Sequence, residues 1–259
     1  MPERTDYKHG EFCWVDLVST DMVAAKTFYG NVFDWTCQDL DTQGGPPYGQ
    51  FELGGKGVSG IGQLSDEMKT QGIPPHWNNY INVDDVDAIA KKAESLGAKV
   101  VMPPYKILEA GWMTYITDPT GAAVGFWQRN QHYGAQLVND PGAFCWNELA
   151  TPDIEGSKQF FGELLGWECV DNPNPKTKYY IIKNKGTENG GMIQMTAEWE
   201  GVPPHWMAYF ATADIQNTVN KMTENGGKIC VPPFDIPIGK ICVGNDPQGA
   251  TFSLFQPAA

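Results

Sequence analysis

Positive charge is in short supply. Lys and Arg number 18 against 31 Asp and Glu in 259 residues, for a net charge of −13 and a sequence pI near 4.6. An acidic surface repels phosphate backbones, so nucleic acid is not an expected partner. Long apolar runs are missing too: none approaches the ~20 residues of a membrane span. The polar start, Met1-Pro2-Glu3-Arg4-Thr5-Asp6, has no signal-peptide pattern. The expectation is a cytoplasmic protein without a membrane partner. None of the six cysteines (Cys13, Cys37, Cys145, Cys169, Cys230, Cys242) forms a C-x-x-C pair, so they are expected to be reduced and packed. Gly44-Gly45 and Gly54-Gly55 open no helix, which removes the case for a phosphate loop.

What is present is apolar mass and a repeat. Hydrophobic residues make up 41% and aromatic residues 12%, ample for packed cores. Gly10-Glu-Phe-Cys-Trp-Val-Asp-Leu17 matches Gly142-Ala-Phe-Cys-Trp-Asn-Glu-Leu149 at an offset of 132. At that offset Asp16 meets Glu148, Phe28 meets Phe160 and Trp35 meets Trp167. The offset falls to 129 where Pro74-Pro-His-Trp77 meets Pro203-Pro-His-Trp206 and Tyr80 meets Tyr209. It falls to 128 where Asp118-Pro-Thr-Gly121 meets Asp246-Pro-Gln-Gly249. Such an order of rare residues marks a tandem duplication. The expected domains are 8–128 and 141–257, with 129–140 as linker.

Each copy divides again. Strand Phe12–Val18 leads to a helix whose apolar face, Ala25, Phe28, Tyr29, Val32 and Phe33, keeps the i, i+3, i+4, i+7, i+8 spacing. In the second copy Thr151-Pro152-Asp153 reads as a cap, a first-position proline and a first-turn acid. Strands follow at Tyr48–Leu53 and Val58–Leu64. The next half repeats the plan: strand Trp77–Val83, a helix from Asp84-Asp85 stopped by Gly97, then Lys99–Met102, Met113–Thr117 and Ala123–Gln128. Asp-Pro-Thr-Gly joins the last two with type I turn residues. The fold class is therefore α+β, with four βαβββ modules in two tandem domains.

Strand alternation places Trp14 and Asp16 on one face and Cys13, Val15 and Leu17 on the other. The apolar face should lie under the helices, leaving Trp14 and Asp16 on the open side. The same count puts Trp146 with Glu148, and Asn78 with Tyr80, and Tyr209, on the open side. Asn147 breaks the rule, a polar residue on the supposed helix side. Asp16 and Glu148 are the candidate acid–base residues, since a carboxylate in an apolar site acquires a raised pKa. Trp14, Asn78, Tyr80, Trp146 and Tyr209 are the candidate ligand-binding residues. Each residue also has a purely structural reading, the tryptophans as core and the carboxylates as acceptors for tyrosine. Cys13 and Cys145 lie on the apolar face, which argues against a thiol nucleophile.

The ordered motifs W-V-D-L, W-N-E-L, V-D-D-V-D-A and D-P-T-G resemble the vicinal oxygen chelate superfamily of glyoxalases, bleomycin-resistance proteins and extradiol dioxygenases. They also look similar to a two-repeat actinobacterial subgroup labelled hydroxylase-like or glyoxalase-like. The resemblance implies glyoxalase-like domains whose curved mixed sheets form cups holding a small-molecule ligand and usually a metal. It also implies a ligand set at Trp14, Asn78 and Gly125, and at Trp146, Met207 and Ser253. None of those side chains is a good metal ligand, so no cofactor is expected. A divalent metal at a displaced site would use His76 with Asp16, or His205 with Glu148. The other reading of these histidines is that they hold loop carbonyls. Two functions follow: a lyase, isomerase or oxygenase acting on a small carbonyl or oxygenated molecule, or a bleomycin-resistance-type sequestration protein. Monomer and homodimer are both compatible.

Overall fold

Aspartates open all four long helices. In a computed structural model, which describes residues 3–172 and 177–258, Asp21, Asp85, Asp153 and Asp214 each accept a hydrogen bond from a first-turn N–H. Such a cap contributes about 1 kcal/mol by satisfying an otherwise orphaned donor. This corrects the reading of Thr151 as a cap. The cap is Asp153, the helix starts at Ile154, and the Thr151 hydroxyl pairs with Ser157 Oγ at 3.0 Å.

The first copy runs β1 (Phe12–Ser19), α1 (Met22–Phe33), β2 (Thr36–Asp39), β3 (Tyr48–Leu53), β4 (Lys56–Gln63), a short α2 (Asp66–Thr70), β5 (His76–Asn82), α3 (Val86–Ser95), β6 (Lys99–Ile107), β7 (Gly111–Thr117) and β8 (Ala123–Arg129). The second runs β9 (Phe144–Thr151), α4 (Ile154–Leu165), β10 (Glu168–Asp171), β11 (Tyr179–Asn184), β12 (Thr187–Gln194), β13 (His205–Ala211), α5 (Ile215–Glu224), β14 (Lys228–Ile236), β15 (Gly239–Asn245) and β16 (Thr251–Pro257). A single 3-10 turn, Ala197–Trp199, stands where α2 does in the first copy.

Each copy forms one eight-stranded mixed sheet, in the order β2-β3-β4-β1-β5-β8-β7-β6 and its repeat β10-β11-β12-β9-β13-β16-β15-β14. The two modules of a copy therefore share a sheet, joined by the antiparallel pair β1–β5 or β9–β13. The four long helices, α1, α3, α4 and α5, pack into the cores shared by the two copies. One core combines α1 residues Phe28, Tyr29 and Phe33 with Phe210, Val219 and Phe252 of the second copy. The other combines α3 residues Val86, Ile89 and Ala93 with Phe160, Phe161 and Leu164. Each fully buried side chain of this size contributes roughly 1.5–3 kcal/mol, so the two copies are one folding problem rather than beads on a string.

Two features bind the copies in register. The Trp35 indole donates to the Gly142 carbonyl at 2.7 Å, and its repeat, Trp167, donates to Gly10 at 2.9 Å. Both glycines have positive φ, where a Cβ is strained. The buried Asn147 amide donates to Asn79 Oδ1 at 2.6 Å, and Asn79 donates on to the Trp206 carbonyl. Asn147 thus does lie on the side away from the cup, and is polar because it pairs across the interface.

Candidate functional site

On the open side of the first sheet, register does the positioning. Asp16 lies opposite Asn78, and Trp14 opposite Tyr80, across β1–β5; Gly60 of β4 flanks Asp16 on the other side. Asn78 donates to Asp16 Oδ1 at 2.8 Å, while Tyr48 and Tyr80 donate to Oδ2 at 3.1 and 3.2 Å. Trp14 Nε1 donates to the Tyr48 hydroxyl at 3.1 Å, and Tyr115 donates to Asn78 Oδ1. Asp16 is 6% exposed. Burial raises its carboxyl above the usual carboxylate range, against the opposing pull of its three donors. Burial likewise pushes the phenols of Tyr48, Tyr80 and Tyr115 well upward, so all three stay protonated donors.

The second sheet repeats the plan with fewer donors. Glu148 lies opposite Met207, and Trp146 opposite Tyr209. Tyr209 donates to Glu148 Oε1 at 2.7 Å, with Tyr179 also within hydrogen-bonding reach of the carboxyl. Trp146 Nε1 donates to the Tyr179 hydroxyl at 3.1 Å. Desolvation raises Glu148 as it does Asp16. Glu148, Trp146 and Tyr179 remain partly exposed.

All seven candidate residues fall into these two clusters, and the structure adds Tyr48, Tyr115 and Tyr179. For Tyr48 and Tyr179 the sequence signal is a glycine. A Cβ on Gly60 would meet the Tyr48 hydroxyl at 1.9 Å, and one on Gly191 would meet that of Tyr179 at 2.0 Å. Both pairs sit at the same offset of 131 residues, so each phenol occupies the space its glycine vacates.

The positions where the resemblance places metal ligands carry indole, amide or thioether, with glycine and serine last. Around them stand one carboxyl and a set of phenols. Zinc, iron and manganese sites want about three His, Cys or carboxylate ligands, and this set does not fit. His76 and His205 instead brace their own loops. Each points Nδ1 at the carbonyl two residues back, Pro74 at 2.7 Å and Pro203 at 2.9 Å. Among the described residues, no group of three or more His, Cys, Asp or Glu is placed to hold a metal ion. The cysteines are no better as nucleophiles: burial raises the Cys13 thiol and pushes Cys145 up to about 12. No helix among the described residues is long and apolar enough to cross a membrane.

Comparison with known proteins agrees with this architecture. The family model described as Glyoxalase/Bleomycin resistance protein/Dioxygenase superfamily matches residues 12–126 and again 138–254. CFP32 of Mycobacterium tuberculosis, provisionally named a glyoxylase, is 42% identical over 265 residues, covering 100% of this chain and 99% of that protein. The anthracycline biosynthesis protein DnrV of Streptomyces peucetius is 30% identical over 267 residues, covering 97% of this chain and 95% of its own. Among solved structures, the 2,3-dioxygenase LapB from Pseudomonas sp. KL28 superimposes with a TM-score of 0.66 at 15% identity, over 98% of this chain and 94% of that one. At that identity the likeness is one of fold.

Proposed function

This chain belongs to the Glyoxalase/Bleomycin resistance protein/Dioxygenase superfamily, and on that premise we propose that it acts on a small organic molecule bearing a carbonyl or other oxygen group, by proton transfer independent of the usual metal position. The observation that carries this reading is the pair of carboxyl–phenol clusters, Asp16 with Tyr48 and Tyr80, and the partly exposed Glu148 with Tyr179 and Tyr209. A carboxyl raised by burial is a stronger base once ionised than one in water. As a carboxylate it takes the proton from a carbon beside a carbonyl, and the electron pair of that C–H bond moves onto the carbonyl oxygen. The protonated phenols supply O–H donors where negative charge develops. The proton then returns to a neighbouring carbon, which is isomerisation, or a leaving group departs from the β-carbon, which is a lyase reaction. The relative named for anthracycline biosynthesis favours a flat, oxygen-rich substrate.

The pH dependence has a definite sign. Both carboxyls are raised, so the base form is lost on acidification at a higher pH than the ~4 to 4.3 of ordinary Asp and Glu. Activity should therefore fall on the acid side earlier than for an exposed carboxylate. Asp16→Asn combined with Glu148→Gln is expected to lower kcat by roughly 10²-fold or more, while circular dichroism stays native. The assay is turnover of a panel of α-hydroxycarbonyl and hydroxyquinone compounds. Undiminished rates in the double variant would refute the acid–base reading. Tight binding by the wild-type chain without any chemical change would favour sequestration, the reading that the partly exposed Trp146 indole supports.

A further inference from the structure

The linker does more than connect the copies. Residues 134–136 enter the first sheet where β1 and β4 stand apart, ahead of their parallel pairing from Asp16↔Gly60 onward. Ala135 donates to the Cys13 carbonyl at 2.8 Å, and Gln136 donates to that of Gly57 at 2.7 Å. The Gln136 side chain turns back, and its Oε1 accepts from the Gly57 N–H at 2.8 Å. One glutamine thus satisfies both backbone groups of Gly57. Cys13 has a carbonyl to offer because it is the extra residue of a bulge, unpaired between Phe12↔Ile81 and Trp14↔Tyr80. The fit is selective for sequence. A Cβ on Gly134, whose φ is +123°, would run into the Cys13 carbonyl, and the fully buried Ala135 calls for a small side chain. Glycine, a small residue and glutamine, in that order, are what this slot accepts.

The second sheet carries the same slot. Cys145 is again the bulge residue, unpaired between Phe210↔Phe144 and Tyr209↔Trp146. Glu188 pairs with Lys183 in the register in which Gly57 pairs with Glu52, so its N–H and C=O face the gap as those of Gly57 do. β9 and β12 join only from Glu148↔Gly191 onward. What differs is the cover. Cys13 and Gly57 are buried beneath the linker, whereas Cys145 is partly exposed and Glu188 exposed. Among the described residues, no loop or linker N–H donates to either carbonyl. In its place is a cavity of about 320 Å³, bounded by Phe144, Cys145 and Trp146 of β9, Glu188 of β12, and Arg4 and Glu11. Arg4 is already paired with Glu11 at 2.7 Å, which leaves the Glu188 carboxylate as the excess charge at the rim. A strand edge with open backbone groups is a template for another extended chain.

We propose that this slot docks an extended segment of a partner protein that reads Gly-Ala-Gln with a basic residue close behind. The segment binds by strand addition. Its alanine N–H donates to the Cys145 carbonyl and its glutamine N–H to the Glu188 carbonyl. The glutamine side-chain carbonyl accepts from the Glu188 N–H, and the basic residue meets the Glu188 carboxylate. The chain's own linker, seated in the first slot, is the precedent for each backbone contact.

The probe is the acetylated and amidated peptide Tyr-Gly-Ala-Gln-Leu-Lys, which is linker sequence 133–137 with a terminal lysine. It is titrated into the full chain and followed by calorimetry. One peptide per chain should bind, since the tethered linker holds the first slot at high effective concentration. Methylating the glutamine backbone nitrogen removes the donor to Glu188 and should weaken binding by at least about tenfold. Glu188→Pro removes the N–H from the other side and should do the same. Glu188→Ala keeps the backbone and should cost only the ionic share, about twofold to fivefold at low salt. Where Glu188→Pro does not fold, the methylated peptide on the wild-type chain decides alone. No saturable binding, two peptides per chain, or an affinity indifferent to the methyl group would each overturn the proposal.

Discussion

Tyr29→Phe is expected to destabilise the protein by about 2–4 kcal/mol, the sum of two buried polar groups left without partners. The Tyr29 hydroxyl accepts from Trp77 Nε1 at 3.0 Å and donates to Asp246 Oδ2 at 3.1 Å, tying the first copy to the turn between β15 and β16 of the second. The repeat supplies the reciprocal experiment. Phe161 stands where Tyr29 does, and its ring meets Trp206 at 5.5 Å and 85°, against 5.3 Å and 90° for Tyr29 with Trp77. Lacking the hydroxyl, that side leaves Trp206 Nε1 and Asp118 Oδ2 both buried without a hydrogen-bond partner. Asp118 Oδ1 is satisfied by the turn it caps, with Thr120, Gly121 and Ala122 all donating to it. Phe161→Tyr should therefore complete both orphans and raise stability by about 1–2 kcal/mol. Urea denaturation of the two variants gives both numbers. A destabilised Phe161→Tyr protein would mean that this core cannot admit the oxygen.

The repeat and the periodicities made most of the architecture legible, because both are local properties of the chain. Ala25, Phe28, Tyr29, Val32 and Phe33 are all buried, as their helical spacing requires, and β3 runs over the residues its pattern marks. The half of the site carried by β1 and β5 was also legible, since alternation alone puts Trp14 and Asp16, then Asn78 and Tyr80, on one face. The half carried by β3, β7 and β11 was not. Tyr48 reaches Asp16 only because β3 pairs with β4, which pairs in parallel with β1, and that sequence of neighbours is set by long-range contacts. Asn147 looked like a fault in the alternation for a related reason. Its face packs against the other copy, where Asn79 answers it, and no pattern within one strand announces a partner sixty-eight residues away.

The linker shows the same limit, and it leads to a pH effect. Residues 129–140 read as a connector, yet within that stretch Ala135 and Gln136 bond to β1 and β4, and His132 seats its ring between Trp14 and Trp127. Burial there lowers the His132 pKa from 6.5 to about 4. A depressed folded-state pKa means the neutral ring is the one that fits: its contribution is complete above the unfolded value near 6.5 and is lost as pH falls towards 4. At one pKa unit per ~1.4 kcal/mol, the loss is on the order of 2–3 kcal/mol by about pH 4.5. Asp16 and Glu148, being raised, pull the other way, since their protonated forms are favoured in the folded chain. The His132 share is isolated by difference. His132→Phe keeps an aromatic edge against Trp14 but cannot titrate, so its stability relative to wild type should rise by those 2–3 kcal/mol between about pH 7 and about pH 4.5. Chemical denaturation at the two pH values measures that difference. A constant offset between the two proteins would show that His132 becomes charged without leaving its seat, and that the linker holds through its backbone bonds alone.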